Sequence, residues 1–193
     1  MDRNLLKSIV EGIIFSHPEP VSAQSLSEVI KEVSLATITS VVDELEHEYQ
    51  ERARGFLLCR VAGGYQFRSL PRIAPWILEM KKSKPSRLSR AAMETLAIIA
   101  YNQPVTRSEI EQIRGVESSA ILRNLVERAL VEVVGKKDVP GRPLLYGTTR
   151  RFLEVFGLND LTSLPPLPTD EMLDQELGSP ACDRPDTNSL SRK

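Results

Sequence analysis

The sequence contains little of what catalytic and metal sites are built from. It has two cysteines and two histidines in 193 residues, and neither His17 nor His47 has a Cys or a second His at ligand spacing. Cys59 and Cys182 are too few and too isolated to indicate a disulfide framework. The glycines match neither a phosphate-binding loop nor a dinucleotide fingerprint. We therefore expect a non-enzymatic protein that binds no metal or cofactor.

Long apolar runs are also missing. The longest, around residues 9–15 and 96–100, fall well short of the about 20 residues that cross a bilayer. The N-terminus carries Asp2 and Glu11 and lacks a small-residue cleavage site, so it does not resemble a signal peptide. With 41% hydrophobic and 26% charged residues, the composition is that of a globular protein. We expect a cytoplasmic location and no membrane contact.

Charge of either sign is not in excess, since the net charge is −1. Residues 1–80 carry 8 Lys and Arg against 11 Asp and Glu, residues 81–160 carry 14 against 9, and residues 161–193 carry 3 against 6. The middle segment is therefore basic, although its charge is less concentrated than that of a dedicated DNA reader. Charge alone does not identify a partner.

Apolar periodicity predicts three helices and a hairpin in the first half of the chain. The first helix spans residues 3–16 and is ended by the prolines that follow, Ser22 caps the second, and the third runs to Tyr49. Two short runs, residues 56–61 and 65–70, flank a glycine-containing turn that is typical of a β-hairpin. The residues assigned to the core are Leu5, Leu6, Ile9, Val10, Ile13, Ile14, Leu26, Val29, Ile30, Ile38, Val41, Val42, Leu45 and Tyr49.

The same order returns after a charged linker at residues 81–87. Ser89 opens a helix that stops near Pro104, and Thr106 with Glu109 forms a capping box for the next one, which Gly115 ends. A third helix leads into a second hairpin, VEVVG and LLYGTT. The core positions predicted here are Met93, Leu96, Ala97, Ala100, Ile110, Ile113, Ile121, Leu122, Leu125 and Val126.

The two halves align as an internal duplication. Val21 and Ser22 stand 84 residues before Val105 and Thr106, and the pattern of apolar residues around them matches. Three helices followed by a hairpin are typical of the winged-helix variant of the helix-turn-helix. We predict a mainly α fold with small β-hairpin wings (α+β). Its parts are winged-helix domains at residues 1–80 and 88–160, a linker at 81–87, and a flexible tail at 161–193 that is too polar to order.

A winged helix raises the possibility of DNA binding through its third helix. In the first domain that helix is acidic, with no Lys or Arg before Arg52, so phosphate would repel it. The second domain offers Arg123, Lys136 and Lys137 for weak, salt-sensitive contact. Other cations that we expect to be solvent-exposed and able to make such contact are Lys81, Lys82, Lys84 and Arg142.

The second domain also carries the motifs of a known family. LAIIAYNQPVTRSEIEQIRGV (residues 96–116) and GKKDVPGRPLLYGTT (residues 135–149), followed by a helix through Phe152 and Phe156, resemble segregation and condensation protein B. In the first domain the similar fragments are IVEGIIFSHPEPVS and GGYQFRS. The resemblance extends over about residues 5–168.

The resemblance implies a cytoplasmic, nucleoid-associated homodimer joined mainly through its first domains. Such a subunit binds the kleisin segregation and condensation protein A (ScpA), which bridges the Smc ATPase, and supports chromosome condensation and segregation without catalysis. A DNA-binding regulator on the same fold is the alternative interpretation.

The second wing is the predicted contact with the kleisin. Two prolines stiffen its loop, so less conformational freedom is lost on binding, and the following strand offers apolar side chains and a hydroxyl. Alternate residues of this strand could equally well cover the domain's own core. The predicted partner-binding residues are Pro140, Gly141, Arg142, Pro143, Leu144 and Tyr146, together with Tyr101 and Asn102 on the adjacent helix.

Overall fold

A computed structural model describes residues 1–52, 54–82 and 87–167. Lys84 and the predicted tail beyond residue 167 lie outside these ranges.

Three helices, a hairpin and a further helix make up the first half. Asp2, Ser22 and Ser34 each precede a helix and accept a backbone hydrogen bond from its first turn, which satisfies an otherwise unpaired N–H. The elements are α1 (Arg3–Ser16), α2 (Ala23–Val29), α3 (Leu35–Glu51), β1 (Phe56–Val61), β2 (Gly64–Ser69), a 3-10 turn (Pro71–Ile73) and α4 (Ala74–Met80). Helix α4 is an element that the periodicity did not predict.

The second half repeats this order. The capping box of Thr106 and Glu109 is present, and Gly115 ends its helix in the left-handed region, as the sequence predicts. The elements are α5 (Arg90–Asn102), β3 (Val105–Thr106), α6 (Arg107–Arg114), α7 (Ser119–Glu127), β4 (Val131–Lys136), β5 (Leu144–Thr148), α8 (Arg150–Phe156) and a 3-10 turn (Leu161–Ser163). The predicted α+β fold of two tandem winged helices is confirmed.

In both halves a residue just before the second helix pairs with a strand of the wing. Val21, just before α2, forms an antiparallel bridge with Tyr65 in the first wing. Val105, its counterpart in the repeat, pairs with Tyr146 in the second wing. The second wing is therefore a three-stranded sheet in the order β3-β5-β4. A two-residue strand is too short to show a sequence period, so β3 was not predicted.

Each half has its own buried set of apolar side chains. Many predicted core residues are buried, but six are exposed, and for these six the prediction is wrong. They lie at the edges of apolar stripes that are wider than the part of each helix that contacts the core. The six are Leu5, Val29, Met93, Ala97, Ile113 and Val126.

Residues 1–163 form one compact unit, and residues 164–167 have no regular secondary structure. Domain boundaries at residues 80 and 88 stay a prediction.

Candidate partner-binding groove

Helix α7 and the second wing leave a groove between them with a volume of about 330 Å³. Apolar side chains from both elements lie in it, and charged side chains lie beside them. The residues that line it are Arg107, Ser119, Leu122, Arg123, Val126, Glu127, Val133 and Tyr146. We call this the α7–wing groove.

The position of Tyr146 is fixed by the order of the strands. Strand β5 is central, so Tyr146 has Val105 opposite it on one side and Val133 on the other. The β4–β5 register shifts between Val133 and Gly135, and this irregularity leaves both Val133 and Val134 exposed on an edge strand. Val133 and Tyr146 thus form one wall of the groove.

Helix α7 forms the other wall. Leu122 and Leu125 are buried, whereas Val126 is 40% exposed and lines the groove. The apolar stripe of the helix predicts Val126 in the core, and the structure exposes it. A surplus apolar residue at the edge of a stripe is the signal that could have identified this surface.

The groove has a cation and an anion available for a ligand. Arg107 is already engaged, since it donates to Ser119 Oγ at 3.2 Å and its Nε lies 3.7 Å from Glu111 Oε1. Arg123 and Glu127 form no ion pair with any residue in the described ranges, although they are one helical turn apart. A partner segment that carries apolar anchors and charged flanks is the kind of ligand that this lining suits.

The loop of the second wing is tied to α6 by an ion pair. Lys137 Nζ donates to Glu109 Oε1 at 2.6 Å, and Glu109 Oε2 accepts from the Thr106 N–H at 2.8 Å. These hydrogen bonds, that of Lys137 first, lower the pKa of Glu109 to about 2. Lys137, expected as a solvent-exposed contact for DNA, therefore has a carboxylate partner. Lys136 and Arg123 have none among the residues that the structure describes.

The predicted partner-binding residues fall into three places, and only Tyr146 lies in the groove. The wing loop folds on itself, with Lys137 N donating to Pro143 O at 2.9 Å and Arg142 N to Val139 O at 2.8 Å. Its residues Pro140, Gly141 and Arg142 are exposed, as is Leu144, while Pro143 is half-buried. Tyr101 and Asn102 lie at the end of α5, where Asn102 Nδ2 donates to Ile98 O at 2.8 Å.

The acidic face of α3 has basic partners that its local sequence does not reveal. Arg3 and Lys7 from α1 pair with Glu44, and Lys7 also pairs with Glu48 at 2.6 Å. Arg60 from β1 pairs with Asp43 at 2.7 Å and with Glu46 at 3.0 Å. The negative charge of α3 is thus partly neutralised. Because Arg3, Lys7 and Arg60 are paired with these carboxylates, they are not free to contact phosphate.

The first half exposes a different apolar surface. Helix α4 buries none of its side chains, and its Trp76 and Met80 are 68% and 89% exposed. Phe15 at the end of α1 is 74% exposed. Large apolar side chains exposed to this degree are typical of interaction surfaces.

Within residues 1–52, 54–82 and 87–167, no group of three or more His, Cys, Asp or Glu is arranged to hold a metal ion. No helix in the described part of the chain is long and apolar enough to span a membrane.

The fold and the groove define a tandem winged-helix protein with a candidate surface for a protein partner. A family model described as "Segregation and condensation complex subunit ScpB" matches residues 8–167. Segregation and condensation protein B of Syntrophotalea carbinolica is 50% identical over 167 residues, which cover 86% of this chain and 84% of that protein. The chain therefore belongs to the ScpB family of segregation and condensation complex subunits.

Two crystal structures are also similar to this chain. ScpB from Mycobacterium tuberculosis shares 31% identity, covers 82% of this chain and 98% of that chain, and has a TM-score of 0.40. A dimer of an ScpB N-terminal domain complexed with an ScpA peptide shares 26% identity, covers 40% of this chain and 95% of that chain, and has a TM-score of 0.37.

Proposed function

We propose that the chain is a non-catalytic subunit of the bacterial Smc condensin-like complex, and that it binds ScpA as a homodimer in the nucleoid region of the cytoplasm. ScpA would connect it to Smc, and the assembly would support chromosome condensation and segregation. Membership of the ScpB family supports this role. The α7–wing groove is the observation that carries the ScpA-binding part of the proposal.

The second domain, residues 88–160, is assigned to ScpA because of what lines its groove. Val126, Val133 and Tyr146 offer apolar area together with a hydroxyl, and such amphipathic anchors are favoured at interface centres. Arg123 and Glu127 beside them can fix the register of a bound segment through charge. An amphipathic helix or an extended strand of ScpA would fit this lining.

A matched pair of valine variants tests the groove. Val126 and Val139 are 40% and 41% exposed, but Val139 lies in the wing loop outside the groove. Val126→Asp should weaken the binding of the central ScpA fragment to the full chain by about tenfold to a hundredfold, because it buries a charge at the interface. Val139→Asp should leave the affinity within about twofold. Equal losses by isothermal titration calorimetry would contradict the groove assignment.

A second pair separates the groove from the end of α5 and from the wing loop. Tyr146→Ala should weaken ScpA binding, whereas Tyr101→Ala should not, since Tyr101 lies outside the groove. Arg142→Glu tests the wing loop in the same assay. If Arg142→Glu or Tyr101→Ala reduces affinity while Tyr146→Ala does not, the contact surface is the wing loop or the end of α5 and not the groove. Circular dichroism of each variant checks that folding is intact.

The first domain, residues 1–80, is assigned to dimerisation because of the apolar surface at α4. Trp76→Glu should shift the full chain from dimer to monomer in light scattering at micromolar concentration, because it places a charge in the contact. Val155→Glu is the control, since Val155 is 52% exposed on the second domain. A dimer that survives Trp76→Glu but not Val155→Glu would place the interface in the second domain.

DNA contact, if the complex makes any through this subunit, should be weak and independent of sequence. Arg123 and Lys136 form no ion pair with the residues that the structure describes, but two or three cations supply little affinity at physiological salt. Tight binding to one defined DNA site at that salt concentration would instead favour the winged-helix regulator.

A further inference from the structure

The tip of the first wing does not end in solvent. Its turn residues, Ala62 and Gly63, have φ angles of +50° and +70°, as a two-residue hairpin turn requires. Their amides donate to the carbonyls of Leu158 and Asn159, both at 2.9 Å. Leu158 and Asn159 follow α8, which belongs to the second winged helix, and both are half-buried. Backbone groups of the two halves are thus paired directly.

Two arginines, one from each half, reinforce this pairing. Arg68 in the first wing donates through Nη2 to the carbonyl oxygen of Glu154, in the last turn of α8. A cation near the last carbonyls of a helix also interacts favourably with the helix dipole. In the opposite direction, Arg150 at the start of α8 donates to the carbonyl oxygen of Pro20 at 2.7 Å. Four hydrogen bonds therefore join the first wing and its neighbouring loop to α8 and the two residues after Gly157.

We propose that α8 and residues 158–159 form a clasp that fixes the two winged helices in one orientation and occupies the tip of the first wing. The clasp makes the apolar surface of the first domain and the α7–wing groove parts of one rigid body. Because residues 158–159 cover the tip of the first wing, that tip is not available to contact nucleic acid.

Hydrogen exchange at the turn amides tests the clasp in the intact protein. An amide at a hairpin tip normally exchanges fast, because only water accepts from it. The amides of Ala62 and Gly63 should exchange about tenfold to a hundredfold more slowly than that of Gly141, the positive-φ residue at the tip of the second wing loop. Exchange of Ala62 and Gly63 as fast as that of Gly141 would overturn the proposal.

Removal of the two arginines tests the cause of this protection. The double variant Arg68→Ala and Arg150→Ala should raise exchange at Ala62 and Gly63 toward the rate of Gly141, while the amides of α3 stay protected. The matched control, Arg72→Ala with Arg142→Ala, removes one exposed arginine from each half outside the clasp and should change nothing at the tip. Protection that is equal in both double variants would overturn the role of Arg68 and Arg150.

Cross-linking decides whether the clasp forms within one chain. Cysteines are introduced as Ala62→Cys and Asn159→Cys in a full chain whose own cysteines are replaced by Cys59→Ala and Cys182→Ser. A short bismaleimide should then give a cross-linked monomer on a denaturing gel. A covalent dimer would show that a second copy supplies the segment by domain swapping, and that result would overturn the clasp within one chain, as would a failure to cross-link.

Discussion

Gly64→Ala should destabilise the protein, because Gly64 lies where two backbone segments meet. A Cβ at this position would lie 3.0 Å from the carbonyl carbon and oxygen of Val21 and 3.1 Å from the carbonyl carbon of Pro20. These are backbone atoms, so they cannot rotate away as a side chain could. The first wing would have to move away from Val21, which strains the hydrogen bonds Val21 N to Tyr65 O at 2.9 Å and Tyr65 N to Val21 O at 2.8 Å.

The expected loss is about 2 kcal/mol in the free energy of unfolding. Overpacking costs about 1–3 kcal/mol, and a weakened backbone hydrogen bond adds about 0.5–1.5 kcal/mol. Gly12→Ala is the control: Gly12 is exposed within α1 and has nothing within 4 Å of its Cβ position. Alanine there should stabilise by about 0.5–1 kcal/mol, because glycine is a poor helix former. Urea denaturation followed by circular dichroism measures both, and a Gly64→Ala variant as stable as the parent would refute the reasoning.

Three further predictions concern the second domain. The pKa of Glu109 is lowered to about 2, so the stability that its contacts give is present above the ordinary pKa of 4.5 and is lost as the pH falls toward 2. Glu109→Gln should therefore lower the free energy of unfolding by about 1 kcal/mol at pH 7 and by much less at pH 2, as measured by urea denaturation. A loss of stability that does not change with pH would contradict this. Leu125→Ala should cost about 2–5 kcal/mol in the same assay because Leu125 is fully buried, whereas Val126→Ala should cost much less; similar costs would mean that Val126 belongs to the core. Gly115→Ala should lower the stability by about 1 kcal/mol, because φ there is +70°, and an unchanged melting temperature would count against it.

The elements whose cause is local could be predicted from the residues alone. Helix α1 ends at Ser16 because prolines follow, and α6 begins at Thr106 because Glu109 stands three residues later to complete the capping box. The duplication is also visible in the sequence, since Val21 and Val105 hold the same place in each repeat. Helix caps, helix-breaking prolines and apolar periodicity act over a few residues, so the local sequence is enough to predict their effect.

Which surfaces are free depends on the packing of elements that are distant in the chain. The stripe of α7 treats Leu125 and Val126 alike, yet the core covers the first, and the second lines a groove because the wing leaves a gap beside it. The acids of α3 pair with cations of α1 and β1, and Arg3 stands about forty residues before its partner Glu44 in the chain. The local sequence around Gly63 indicates only a hairpin turn, whereas in the structure the Gly63 N–H donates to the carbonyl oxygen of Asn159. Contacts at such separations depend on how the packed elements are placed, and no local pattern of residues encodes that placement.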